Sequence, residues 1–312
     1  MRLVLSRLLA ALPLLLFASL GAFILIHLTP GDPAATLLPQ GATTEQVEAM
    51  RTFLGLDRPL VTQYLDWIGK AVTGDFGQSF ISQRPVADLI SERIGVTLSM
   101  VSLTMVLTIP TALLLGTVAG AFENRLPDRV ITALTSLGLA MPSFWVGLLL
   151  VLLFAVNLRW FPSTGYVDFM IDPLGWLRHM FLPALTLSVF GAAQLTRQLR
   201  GSMSDVLRSD YIRTTRAKGL PPSSIILRHG LKNAAMAVVT LTGLQLIALL
   251  GGAVIVESVF GLPGLGSLII NAVGQRDIPT IQAGVLVIAV LAVAINLLVD
   301  ILYGLLNPRV RV

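Results

Sequence analysis

Six long apolar runs constrain this chain more than any other feature of its sequence. They cover approximately residues 8–28, 97–121, 131–156, 181–195, 234–256 and 281–306. A helix of about 20 apolar residues crosses the roughly 30 Å hydrocarbon core of a bilayer. Only 12% of the residues are charged and 54% are hydrophobic, so a water-soluble chain of this size lacks the charge needed to cover its surface. The sequence therefore predicts an all-α polytopic membrane protein with six transmembrane helices.

The first run is similar to a secretory signal peptide, but its apolar stretch exceeds a typical h-region and no convincing small-x-small cleavage site follows. We expect it to remain as the first helix. Basic residues predict the orientation, because short cytoplasmic segments are enriched in Lys and Arg. With the N-terminus inside, most of the 22 Lys and Arg residues fall on the inner side. The pattern therefore predicts that both termini lie in the cytoplasm.

The outer segment of about residues 30–96 is too long for a simple connector and carries its own helix punctuation. Thr43 and Gln46 form a capping-box pattern, and Gly55 is placed to end the helix that follows. Two more short helices are predicted to begin at Pro59 and at Pro85, the second spanning 85–93. These signals favour a small folded extracytoplasmic subdomain. The alternative is a loosely ordered loop.

The inner segment of about residues 197–233 is strongly basic and also contains signals that start and end helices. Asp210 is placed to cap the N-terminus of a helix over 211–218, and Gly219 is placed to end it. Cations crowd the C-terminal half of this helix, where they suit the helix dipole. The spacing predicts a short helix followed by a reversal of the chain.

A second helix is predicted after the proline pair at 221–222, with Ser223 or Ser224 as its N-cap. The two helices form an elbow with little apolar surface of its own. Capping on both sides of Gly219 favours a defined element that docks on a partner. The alternative is an ordinary basic juxtamembrane loop held by anionic lipid headgroups.

Residues for catalysis and ion coupling are missing from the sequence. It has no cysteine, three histidines, and no P-loop, G-x-S-x-G or H-E-x-x-H motif. The middles of the six runs carry no charged residue, whereas an ion-coupled carrier normally needs a polar site at mid-membrane. These patterns weigh against a self-sufficient secondary carrier or channel and against a membrane-embedded enzyme. No metal site is predicted.

Proline and glycine interrupt the apolar runs. Pro110, Pro142 and the adjacent Ser143 are candidates for lining the pathway, because a proline frees backbone groups that can face a polar path. Gly116 and Gly120 form a G-x-x-x-G pair, which suits a close contact between two membrane helices. Glycine and proline are also common in membrane helices that line no pathway, and this alternative stays open.

At the inner segment the sequence resembles a known family. Residues 209–220 (SDYIRTTRAKGL) and 226–234 (ILRHGLKNA) are similar to the EAA loop of binding-protein-dependent ABC importer permeases, and in particular to the B-type permease of dipeptide and oligopeptide importers. The Glu that heads the general EAA pattern is replaced by Thr or Arg, while Ala217 and Gly219 of its core are kept. Further matching motifs are 28–33 (LTPGDP), 55–60 (GLDRPL), 74–79 (GDFGQS), 141–147 (MPSFWVG), 257–266 (ESVFGLPGLG), 300–303 (DILY) and 307–309 (NPR).

The resemblance implies the type I ABC importer permease fold and a division of labour between subunits. It implies a homologous second permease, two cytoplasmic ATPases that bind the paired EAA loops, and an extracytoplasmic substrate-binding protein that docks outside. The chain itself is then not an enzyme and holds no cofactor, since the partner ATPases bind ATP and Mg. The resemblance implies import of dipeptides or short oligopeptides across the bacterial plasma (inner) membrane. Related permeases serve glutathione and nickel complexes, so these substrates stay open.

The resemblance also assigns parts of the chain to roles. Residues 1–29 are expected to form the first transmembrane helix, 30–96 the extracytoplasmic helical subdomain, and 97–312 a five-helix permease core. The expected ATPase-coupling residues are Asp210, Tyr211, Arg213, Thr215, Arg216, Ala217, Lys218, Gly219, Leu220, Arg228 and Asn233. The expected residues for docking of the binding protein are Asp57, Trp67, Asp75, Phe260, Pro263, Gly264 and Gly266.

Overall fold

This computed structural model describes residues 2–28, 33–36, 38–39 and 41–306. Residues 29–32 of the LTPGDP motif, and the NPR motif at 307–309, lie outside the described residues. Across the described ranges the regular elements are helices, and strand-like pairing is limited to one isolated bridge between Gln78 and Pro85. The predicted all-α class is therefore confirmed.

The helices follow one another along the chain with short connections. They are α1 (Arg2–Leu28), α2 (Pro33–Thr36), α3 (Thr44–Phe53), α4 (Leu60–Val72), α5 (Val86–Ala121), α6 (Leu126–Ala140), α7 (Ser143–Leu150), α8 (Pro173–Arg208), α9 (Asp210–Ala217), α10 (Pro222–Ser224), α11 (Lys232–Phe260), α12 (Leu265–Gln275) and α13 (Ile278–Leu306). A π-helix extends α7 over Val151–Asn157, and a second π-helix over Ile225–Leu231 joins α10 to α11.

Three of the described helical stretches are long and apolar enough to span a membrane. They are Val86–Ala121, Pro222–Phe260 and Ile278–Val299, with mean hydropathies of 2.0, 2.1 and 2.5. A fourth crossing is available if α6 and α7 form one broken span. The predicted first span overlaps α1, of which Ala11–Ile24 is a shorter apolar part, and the predicted fourth lies inside α8. A multi-pass membrane protein fits these helices, and the count of six stays a prediction.

Helices α3, α4 and α5 test the predictions for the outer segment. The capping box of Thr43 and Gln46 begins α3, and Gly55 follows its last turn with a φ of +68°. Helix α4 begins one residue after Pro59. The prediction of a separate helix over 85–93 is wrong, because α5 runs unbroken from Val86 to Ala121. Neither a proline nor a cap separates 93 from 97, and a change from polar to apolar side chains alters a helix's surroundings without ending it.

A sharp break separates α6 from α7. The sequence predicted one span over 131–156, but the described chain bends by 106° between Leu126–Ala140 and Ser143–Asn157. Met141 is extended (ψ 129°), and Pro142 is the N-cap of α7. Proline pushes the preceding residue out of the α region and lacks the N–H that would continue the helix. By contrast, Pro110 lies within α5, which continues through it.

The chain divides into two compact units, each with its own core. One unit comprises Met1–Val96 and Pro263–Leu297, and the other comprises Thr97–Leu262 and Leu298–Val312. In the first unit the start of α5 packs with α12 and α13. Its buried cluster consists of Val86, Leu89, Ile90, Leu265, Leu268 and Ala283.

An aromatic cluster joins α1 to α4 within the first unit. Phe23 packs edge-on against Tyr64, with ring centroids 5.5 Å apart, and Trp67 lies 6.1 Å from Tyr64. The Tyr64 hydroxyl is also 2.9 Å from the Ser19 hydroxyl. Aromatic pairs of this geometry add roughly 0.5–1.5 kcal/mol beyond the area they bury. The aromatic residues of α4 therefore hold this helix against α1.

A buried carboxylate fixes the turn between α12 and α13 in the same unit. Asp277 is 4% exposed. Its oxygens accept hydrogen bonds from Ser79 Oγ at 2.6 Å, Phe80 N at 2.9 Å and Thr280 Oγ1 at 2.7 Å. Buried charge is tolerated where hydrogen bonds satisfy it. Asp277 therefore links the outer segment to α13 across nearly 200 residues of sequence.

Helix α8 is the central element of the second unit, with α6, α7 and α11 packed against it. The buried cluster here consists of Ala112, Leu195, Leu199, Met203, Ala234 and Val238. A Cβ at Gly116 would lie 2.7 Å from Leu199 Cβ, and one at Gly120 would lie 2.6 Å from Met203 Cβ. Only glycine allows this approach of α5 to α8. The predicted close contact at the G-x-x-x-G pair is confirmed.

Candidate coupling and docking sites

The coupling elbow, residues 209–233, begins where α8 gives way to α9. Ser209 is the N-cap of α9, so the prediction that Asp210 caps this helix is wrong. Asp210 is instead the first helical residue, and its exposed carboxylate lies 3.2 Å from Arg213. The Ser209 hydroxyl donates to Val206 O at 2.7 Å and makes no cap bond to α9. An acidic residue in the first turn still suits the helix dipole.

Helix α9 has one buried side and one exposed side. Ile212 is 0% exposed and Thr215 is buried, and the Thr215 hydroxyl donates to Tyr211 O at 2.8 Å. The exposed side carries Thr214, Ala217 and Lys218. A helix of eight residues is too short to be stable alone in water. The rest of the chain therefore holds α9 by its inner side and leaves its outer side exposed.

Gly219 reverses the chain after α9. Its φ is +77°, and its N–H donates to Arg216 O at 2.9 Å. No atom lies within 4 Å of the position a Cβ would take. Leu220 is half-buried, and Pro221, in extended conformation, is the N-cap of α10. Capping by a serine at 223 or 224 is thus a wrong prediction: both serines lie inside α10, because proline fixes the φ that starts the helix.

The second arm of the elbow contacts α9 through a residue that sequence reasoning did not select. The Tyr211 hydroxyl lies 2.6 Å from His229 Nδ1, and the two rings pack edge-on with centroids 5.8 Å apart. The Asn233 amide donates to His229 O at 2.8 Å, whereas Arg228 is exposed. Tyr211 and His229 are 18 positions apart in the sequence, and no helical or turn spacing relates them, so only the fold reveals the pair. Tyr211 thus anchors α9 to the second arm, while 53% of its surface stays exposed.

Two ion pairs attach the connection between α5 and α6 to α8 beside the elbow. The Asp128 carboxylate, which is 2% exposed, accepts hydrogen bonds from Nε and Nη2 of the Arg200 guanidinium group. It also accepts one from Asn124 N at 2.8 Å. Glu123 pairs with Arg208 at 2.8 Å. A hydrogen bond from Ser204, followed by the Arg208 contact, lowers the pKa of Glu123. In the sequence, Arg200 and Arg208 counted only toward the basic residues that predict membrane orientation, yet both form ion pairs at the base of the elbow.

The predicted docking residues fall into three groups by exposure. Asp57 and Asp75 are exposed, and the Asp75 carboxylate accepts from Gly77 N at 2.9 Å. Trp67 and Pro263 are partly buried, whereas Phe260, Gly264 and Gly266 are buried. The buried three build the turn between α11 and α12, where Gly261 adopts φ +61° and Gly264 is the N-cap of α12. A direct docking contact by the Phe260 ring is inconsistent with its 1% exposure.

A cavity of about 690 Å³ opens in the first unit beside α3 and α4. Trp67 and Asp75 line it together with the charged residues Arg51, Arg58, Asp66 and Lys70. Arg58 and Asp66 form an ion pair at 2.7 Å. The cavity therefore offers charges of both signs beside an aromatic ring, which suits a polar protein surface better than an apolar ligand.

The pathway candidates occupy different positions. Pro142 and Ser143 begin α7 after the break, and Pro110 is exposed within α5. A role in lining the pathway stays a prediction for all three. Within the described part of the chain, no group of three His, Asp or Glu residues is placed to bind a metal ion.

These features define a helical, multi-pass membrane permease with a basic elbow between two of its helices. The chain matches the family model described as "Binding-protein-dependent transport system inner membrane component" over residues 112–312. It also matches the N-terminal model described as "Binding-prot-dependent transport system membrane comp, N-term" over residues 1–101. The chain belongs to this family of binding-protein-dependent transport permeases.

Curated relatives and solved structures agree with this assignment. A protein of Brucella abortus (strain 2308), named as a peptide transport system permease, is 43% identical over 309 residues, covering 99% of this chain and 98% of that protein. The glutathione transport system permease protein GsiC of Escherichia coli (strain K12) is 42% identical over 308 residues, with the same coverage of 99% and 98%. A chain of the MetNI methionine ABC transporter, solved in inward-facing conformations, superposes with a TM-score of 0.58 at 16% identity, covering 70% of this chain and 96% of that chain. The predicted ABC importer permease fold is confirmed.

Proposed function

We propose that this chain is one of two permease subunits of an ATP-driven importer for dipeptides or short oligopeptides. The partners are a homologous second permease, two cytoplasmic ATPases and an extracytoplasmic substrate-binding protein. Two relatives at 43% and 42% identity carry names of peptide and glutathione transport permeases, and they match nearly the whole chain. The distribution of Lys and Arg supports an inner-membrane protein with both termini in the cytoplasm.

The main observation behind the proposal is that helix α9 of the elbow is buried on one side and exposed on the other. Helix α9 is fixed on its inner side by Ile212 and by the bond from Tyr211 to His229, and it exposes Ala217 outward. A partner that grips the outer side moves α9, and the buried contacts pass that motion to α8 and α11. Alternating access by rigid-body rotation requires such an attachment point. ATP and Mg bind to the partner ATPases in this scheme, and this chain holds no cofactor.

Glutathione is the second candidate substrate, because GsiC is named as a glutathione permease. Glutathione is itself a short peptide with free carboxylates, so the same pathway chemistry suits both candidates. We place peptide selection mainly in the binding protein. The cavity beside α4, with its mixed charges, supports docking of that protein on the first unit.

Cross-linking from a single cysteine tests the coupling role, since the chain has no native cysteine. Ala217→Cys, in the complete complex, should cross-link to a co-purifying ATPase subunit through a short bifunctional reagent. Val72→Cys, 82% exposed on α4, is the matched control and should not. Absence of any ATPase in the purified complex, or equal cross-linking from both positions, would contradict the proposal.

A further inference from the structure

A basic cavity lies beside the start of α9, where the exposed residues Arg213 and Arg216 contribute to its lining. It has a volume of about 550 Å³. The walls come from the end of α5, the connection to α6, the end of α8 and the start of α9. Its charged lining consists of Arg125, Arg208, Arg213, Arg216 and Glu123. Four guanidinium groups thus face one carboxylate.

Existing ion pairs leave a net positive charge in this cavity. Glu123 forms an ion pair with Arg208 at 2.8 Å. Arg213 lies 3.2 Å from Asp210, and both of these side chains are exposed to solvent. Exposed pairs of this kind contribute little. Among the described residues, Arg125 and Arg216 have no carboxylate partner. The lining therefore holds at least two cations whose charge nothing in the described chain balances.

Backbone groups at the start of α9 add to the positive potential. Ser209 lines the cavity, but its hydroxyl bonds back to Val206 O and leaves the first turn of α9 without a side-chain cap. Uncapped N–H groups at a helix N-terminus attract anions. The unbalanced arginines are the main attraction for an anion here, and guanidinium groups suit the oxygens of a phosphate group.

Apolar side chains at the rim indicate which phosphate compound fits. Phe122 lines the cavity and is 43% exposed, and the neighbouring Leu126 is 73% exposed. Phe122 follows directly on the end of α5, one of the helices long and apolar enough to span the membrane, and Leu126 is the first residue of α6. We infer that the cavity binds the headgroup of an anionic phospholipid, with the arginines on the phosphate and the rim against the acyl region. A phospholipid headgroup and free phosphate both offer phosphate oxygens to the arginines. Only the lipid also explains the apolar side chains at the rim.

This inference deepens one feature of the elbow without depending on transport. It rests on the proposed membrane placement alone. A lipid at this cavity contacts α9 through Arg213 and Arg216, while the exposed residues Thr214, Ala217 and Lys218 stay available to a partner. The two roles considered for the basic segment, docking and lipid contact, then belong to different residues of one helix.

Native mass spectrometry of the full chain tests the inference. Delipidated protein in detergent is titrated with phosphatidylglycerol or with phosphatidylcholine of the same acyl chains. Wild type should retain phosphatidylglycerol preferentially. The double variant Arg125→Gln, Arg216→Gln should bind it about 25-fold more weakly, from about fivefold for each arginine near a membrane surface. The matched control Arg129→Gln, Arg197→Gln removes two exposed arginines outside the cavity and should bind as wild type.

Further arms separate the possible sources of the anion. Arg125→Lys with Arg216→Lys keeps the charge and should retain most of the binding, which guards against a folding defect in the glutamine variant. Inorganic phosphate added to the delipidated protein in detergent should not bind. No preference for phosphatidylglycerol in wild type, equal losses in both double variants, or retention of inorganic phosphate alone would each overturn the lipid site. Loss of a co-purifying ATPase from the first double variant without any change in lipid binding would overturn it too, and would assign the cavity to a protein partner.

Discussion

Replacing Gly219 by valine is expected to disable the elbow while leaving the membrane-spanning part of the chain intact. Gly219 has a φ of +77°, in the left-handed region that glycine adopts freely. A Cβ at this position meets nothing within 4 Å. The substitution therefore causes no clash, and its whole effect comes from backbone strain.

That strain has a known range. Holding a non-glycine residue in the left-handed region costs about 1–3 kcal/mol, and β-branched residues are at the upper end. Gly219→Ala is expected near about 1 kcal/mol and Gly219→Val nearer about 3 kcal/mol. At about 1.4 kcal/mol for each tenfold change, docking of α9 on an ATPase weakens by about fivefold for alanine and by about 150-fold for valine.

Affinity of the purified ATPase for the membrane-inserted chain provides the assay. Gly201→Val is the matched control, because Gly201 lies within α8, has an ordinary helical φ and also has nothing within 4 Å of a Cβ position. Valine has a higher helix propensity than glycine, so this control should bind as wild type. Wild-type affinity in Gly219→Val, with the chain well expressed, would refute the role of the reversal at Gly219.

Two further predictions concern topology and the first unit. Gln63→Cys should react with an impermeant thiol reagent in intact cells and Ser223→Cys should not; the opposite pattern would overturn the orientation. Asp277→Ala should lower the free energy of unfolding by about 1–3 kcal/mol, because it removes the acceptor of the Phe80 N–H and of the Ser79 and Thr280 hydroxyl groups. Asp277→Asn should cost less, since its amide can donate to those hydroxyls, and the exposed control Asp57→Asn should leave the thermal midpoint unchanged; equal midpoints for Asp277→Ala and wild type would contradict the bonding described.

Local signals in the sequence predicted the helix start, the chain reversal and the close helix contact that depend on particular residue types. The capping box at Thr43, the reversal at Gly219 and the close approach at Gly116 and Gly120 each depend on one or two residue types with a specific backbone requirement. Such requirements are visible without knowledge of the fold. For the same reason the elbow was found at the right place, from Gly219 and the prolines after it.

Contacts distant in sequence were not predictable in this way. The pairs Tyr211–His229, Asp128–Arg200 and Ser79–Asp277 depend on helix packing, which no periodic pattern encodes. The 106° break at Pro142 was expected only as a kink, because the sequence marks the proline but not the direction of the next helix. The cap of α9 was misassigned to Asp210 because Ser209 and Asp210 both suit an N-cap, and the end of α8 decides between them.

Transport by the reconstituted complex is the decisive test of ATP-driven peptide import. Proteoliposomes holding this chain, its partner permease and two ATPases are supplied with a peptide-loaded binding protein and with ATP on the ATPase side. We expect accumulation of labelled dipeptide that requires ATP and the binding protein and falls sharply with Gly219→Val but not with Gly201→Val. Accumulation by this chain alone, driven by an ion gradient and indifferent to ATP, would show that the chain is not the permease of an ATP-driven importer.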